Sequence, residues 1–83
     1  MTIEKVGEFV NRKNNINSMA KIDFKLRSSV TGMFIKAPDF EELGKKNLWR
    51  IVIETHADKF RETNDMNLCR IFNGVEFKKL GLL

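Results

Sequence analysis

Cys69 is the only cysteine in this sequence and His56 the only histidine. Together these two facts narrow most sharply what the chain can fold into. Chains below about 70–80 residues often rely on disulfides or a structural metal, because a short chain buries a modest fraction of its surface. Here no intramolecular disulfide can form, and a zinc site of the Cys/His kind lacks its ligands. The 83 residues must therefore close around an apolar core of their own. The material for one is present: 42% of residues are apolar and 31% charged, with no repeat and no Pro/Gly-rich tract. This composition disfavours disorder of the whole chain, and a disulfide-built secreted scaffold is excluded. No apolar run approaches the roughly 18–20 residues of a membrane span. Glu4, Lys5 and Glu8 fall where a signal peptide would hold its apolar segment. A reduced, cytoplasmic setting with no membrane partner is expected.

Periodicity supplies the elements. In "TIEKVGEFVNRK", Ile3, Val6, Phe9 and Val10 share one side of a helix capped by Thr2. The polar "NRKNNINS" reads as a linker, so residues 1–18 are expected to form an amphipathic helix and arm, and residues 19–83 a single small domain. "KIDFKLR" alternates, with Ile22, Phe24 and Leu26 toward a core and Lys21, Asp23, Lys25 and Arg27 toward solvent. "SSVTGMFIK" stays extended, and Thr31-Gly32 is either a turn or a bulge. Asp39 followed by Glu42 resembles a capping box, giving a short helix over 39–43 stopped by Gly44. "NLWRIVIE" has apolar residues on both faces and reads as a central strand; "THADKFRETND" reads as a helix capped at Thr55, with Ala57 and Phe60 inward. Asn73-Gly74, between the apolar runs "NLCRIF" and "VEFKKL", predicts a tight hairpin pairing Phe72 with Val75. The order implies an α+β fold, a small antiparallel sheet with short covering helices. A small SH3- or OB-like β-barrel with helical caps is the alternative.

The functional reading is one of exclusion, followed by charge. Single, scattered glycines make no phosphate-cradling loop. Asp39, Glu41 and Glu42 sit where a helix N-terminus stabilises negative charge, and Lys45-Lys46 follow its end. His56 and Cys69 have no spacing that suggests a nucleophile–base pair. No enzyme, metal, cofactor or small-molecule substrate is expected. The aromatic residues on strands, Phe24, Phe34, Trp49, Phe72 and Phe77, are needed for the core before they can serve as stacking platforms. Charge is uneven: residues 1–38 hold seven Lys/Arg against three Asp/Glu, whereas residues 39–83 hold eight of each. The whole net charge of +4 thus lies in the first part. Arg12, Lys13, Lys21, Lys25 and Arg27 are the candidate contacts to phosphate. The expected function is a small non-enzymatic binding protein, nucleic-acid-associated or regulatory. The alternative is an adaptor or inhibitor that docks on a protein through its N-terminal helix or a sheet edge.

Overall fold

The computed structural model describes residues 1–12 and 15–83. In chain order the elements are α1 (Ile3–Asn11), β1 (Met19–Phe24), β2 (Val30–Phe34), α2 (Phe40–Lys45), β3 (Leu48–Ile53), α3 (Glu54–Thr63), β4 (Cys69–Asn73) and β5 (Phe77–Leu82). A 3-10 turn over Gly74–Glu76 joins β4 to β5, and another over Met66–Leu68 precedes β4. All strand pairs are antiparallel, in the order β4-β3-β2-β1-β5. This is the α+β sheet with covering helices that the sequence suggests. β4 and β5 share no ladder, so the sheet is open and the closed-barrel alternative does not form.

Alternation sends successive side chains to opposite faces, and both faces are used. One face carries Ala20, Ile22, Phe24, Phe34, Trp49, Ile51, Phe72 and Phe77, packed with Val6, Phe9 and Val10 of α1. Phe40 of α2 meets Trp49 edge-on at 6.0 Å on this side. The other face carries Met33, Ile35 and Val52 beneath Ala57 and Phe60 of α3. Neighbours such as Met33 and Phe34, or Ile51 and Val52, therefore belong to different clusters. All five strand aromatics are buried, and Val6, Phe9 and Val10 of the apolar face of α1 are spent within the chain's own core, while Ile3 stays exposed.

The hairpin at Asn73-Gly74 does not exist. β4 pairs with β3 and β5 with β1, at opposite edges of the sheet. In a flat sheet those edges would lie about 19 Å apart, four spacings of about 4.8 Å. A three-residue 3-10 turn advances only about 2 Å per residue. The sheet must therefore curl until β4 and β5 approach, and ring contacts record it: Phe24 of β1 lies 5.8 Å from Phe72 of β4 and 5.5 Å from Phe77 of β5. A bulge assists, since Asp23 faces Lys79 but Phe24 faces Phe77, leaving Lys78 extra on β5.

Other local expectations shift for identifiable reasons. Gly44 lies inside α2, and Asn47, left-handed at φ 59°, follows the helix instead. Asp39 makes no capping hydrogen bond, because its carboxylate grips Arg50 at 2.8 and 3.1 Å. Thr55 is not the cap of α3, which begins after Ile53. Thr31-Gly32 is neither turn nor bulge but part of β2, where a Cβ at Gly32 would stand 2.5 Å from the Val52 carbonyl oxygen. Among the described residues no helix is long and apolar enough to cross a membrane.

Candidate nucleic-acid interface

β1 ends at Phe24, earlier than its alternating pattern implies, because the bulge breaks its register with β5. Residues 25–29 then form the connection to β2. Two hydrogen bonds hold it: the Lys25 N–H donates to the Glu76 carbonyl at 3.0 Å, and the Ser29 hydroxyl donates to Asp23 Oδ1 at 2.5 Å. The first ties this connection to the 3-10 turn that ends the crossover. Leu26, expected in the core, instead stands 98% exposed at the tip.

Arg27 folds back over the aromatic core. Its guanidinium carbon lies 4.8 Å from the Phe24 ring centre and 5.8 Å from that of Phe72, while the residue stays exposed. Phe24, Lys25, Leu26, Arg27, Val75 and Glu76 line a pocket of about 300 Å³. Beside it, the amine of Met1 donates to the carbonyls of Gly74 and Phe77, each at 3.0 Å. Burial, then the nearby charges of Lys25 and Lys5, hold that amine below its ordinary value. Lys5 and Arg12 line a shallow groove with Met1, Glu8, Phe9 and Leu80, where α1 passes the edge strand β5.

The candidate residues thus divide. Lys25 and Arg27 share the connection after β1, and the charges of Lys25 and Lys5 both act on the Met1 amine. Arg12, just past the end of α1, shares a groove with Lys5. Lys21 stands on the opposite sheet face, paired in register with Thr31 and Gly81, beyond the part that α3 covers. Lys13 lies outside the described residues. Lys5 was missed from the sequence because its helix has acidic neighbours, Glu4 and Glu8; its spacing of seven from Arg12, two helical turns, was the available signal. Two carboxylates, Glu8 and Glu76, lie among these cations and limit the local field.

The remaining chemistry-bearing groups lie elsewhere. Burial pushes the Cys69 thiol above its ordinary value, with Arg50 acting in the other direction; a reactive thiol needs the reverse. Among the described residues no group of three or more His, Cys, Asp or Glu is placed to hold a metal ion. Comparison with known protein families, curated protein sequences and solved structures finds no match to this chain.

Proposed function

We propose that the protein is a non-enzymatic binding protein that engages nucleic-acid phosphates through Lys5, Arg12, Lys25 and Arg27. The observation that supports this reading is that Lys5 and Arg12 share a groove with Met1, that Lys25 and Arg27 share the neighbouring pocket, and that Lys5 and Lys25 both act on the Met1 amine. Surface cations contact phosphates without needing a deep cleft, and release counterions as they do so. Lys21, on the far face, is left out of the interface. The Cys69 thiol, its pKa raised by burial at the start of the edge strand β4, further favours binding over covalent chemistry.

The test is a fluorescence anisotropy titration of short DNA and RNA at several salt concentrations. With three to four phosphates engaged, the log–log slope of affinity against salt is expected at roughly −2.5 to −3.5 on duplex DNA. Replacing Lys25 and Arg27 together with Gln should reduce it by close to 2. Lys21→Gln should leave it unchanged, and so should Lys45→Gln with Lys46→Gln. Absence of binding at low salt to both DNA and RNA would sink the reading.

A further inference from the structure

The pocket at the end of β1 contains more than phosphate contacts require. A phosphate-binding surface needs cations and amide donors, yet this pocket is walled by Phe24, Leu26 and Val75, the last of them 56% exposed. Leu26 contributes nothing to the core and is held in water by a connection that two hydrogen bonds fix. Glu76 on the rim repels phosphate. The same carboxylate can accept a hydrogen bond from the exocyclic amine of a base. Arg27 holds its guanidinium carbon over the Phe24 ring and near that of Phe72 and remains exposed, so its planar group is positioned before any ligand arrives.

We infer that the nucleic acid is single-stranded, and that one base lodges in this pocket, between Leu26 and Val75 and against Arg27. This rests on the proposed function and deepens it by naming the form of ligand. In a duplex the bases are stacked inside and only phosphates and groove edges are offered, so the pocket would be idle. An unstacked base offers a flat apolar face, which arginine planes and apolar side chains accept with little regard for sequence. The backbone on either side of that base then runs toward Lys25 in one direction and the groove of Lys5 and Arg12 in the other.

The experiment compares a short fluorescein-labelled single strand, DNA or RNA, with the duplex of the same sequence. The single strand is expected to bind at least about tenfold more tightly. Leu26→Ser changes no charge and touches no core residue; it should lower single-strand affinity about five- to tenfold, leaving the salt slope and the melting temperature unchanged. Arg27→Lys keeps the charge but removes the planar face, and should cost a similar factor on the single strand alone. Equal affinity for both forms, or indifference to Leu26→Ser while the Lys25/Arg27 double Gln variant still loses its slope, overturns the base pocket and leaves the phosphate reading standing. No binding to any nucleic acid overturns both. Tighter binding of an acidic, leucine-bearing peptide than of either nucleic acid, lost in Leu26→Ser, overturns it in favour of a protein partner.

Discussion

Gly74 is glycine for want of room, not for the sake of a turn. Its φ is not positive, and a Cβ there would overlap the Asn47 side chain and come within 2.8 Å of Trp49 Nε1. Around it, Asn47 accepts the Trp49 indole N–H at 2.7 Å and donates to the Met1 carbonyl at 3.0 Å, while the Gly74 N–H donates to the Asn47 carbonyl at 2.8 Å. Asn47 itself is buried and left-handed, a conformation Asn tolerates better than most residues. Gly74→Ala is therefore expected to cost about 1–3 kcal/mol by overpacking, read by urea denaturation. In an Asn47→Gly background the cost should shrink, because the obstructing side chain is gone. Strict additivity would show instead that the backbone conformation demands the glycine. At this scale the sequence was misleading in an instructive way. Asn-Gly is a strong hairpin signal, yet here Asn73 caps the 3-10 turn by accepting the Val75 N–H at 3.0 Å, and Gly74 packs against Asn47 and Trp49, residues that no local pattern links to it.

Elements were legible where burial follows a period and obscure where their ends depend on distant partners. The central position of β3 could be read from apolar residues on both its faces, and α3 from Ala57 and Phe60. The end of β1 could not, because the bulge exists only in register with β5. Leu26 continues the alternation perfectly and still points into water, so the most exposed feature of the candidate site was hidden inside the clearest strand pattern. For α1, composition alone suggests a separable arm, since the polar stretch after it contributes little burial. Its core contribution argues otherwise: Val6 and Val10 are fully buried, and Phe9 meets Phe34 at 5.9 Å. Hydrogen exchange at the amides of residues 6–10 should accordingly approach the protection of residues 49–53. Exchange of α1 many times faster than β3 would mean that residues 1–18 open as a unit of their own.

For the molecule as a whole, the two apolar clusters lie on either side of one sheet, and β1 is flanked on both sides. β5 supplies Phe77, fully buried against Phe24 and Phe34, and it is also the second neighbour of β1. Removing residues 77–83 is expected to abolish cooperative unfolding, seen as loss of the thermal transition by circular dichroism. A truncated chain with a sharp transition would show that the four-stranded remainder folds alone. Fold class was within reach of the sequence because layer architecture follows from the pattern of elements. Strand order was not, because it depends on which edge the last strand joins. The uneven charge drew attention to the first part of the chain, but a count along the sequence cannot tell that Lys21 and Lys25 stand apart on the folded surface.

The short crossover between β4 and β5 also bears on how the chain is made. β1 is synthesised before every other strand, yet it acquires its second neighbour only after all of them have emerged. Until then a nascent chain presents Ile22 and Phe24 beside an unpaired strand edge, a form prone to pairing with the wrong partner. Closure of the sheet therefore waits on β5, and one late strand completes both the fold and the pocket beside it.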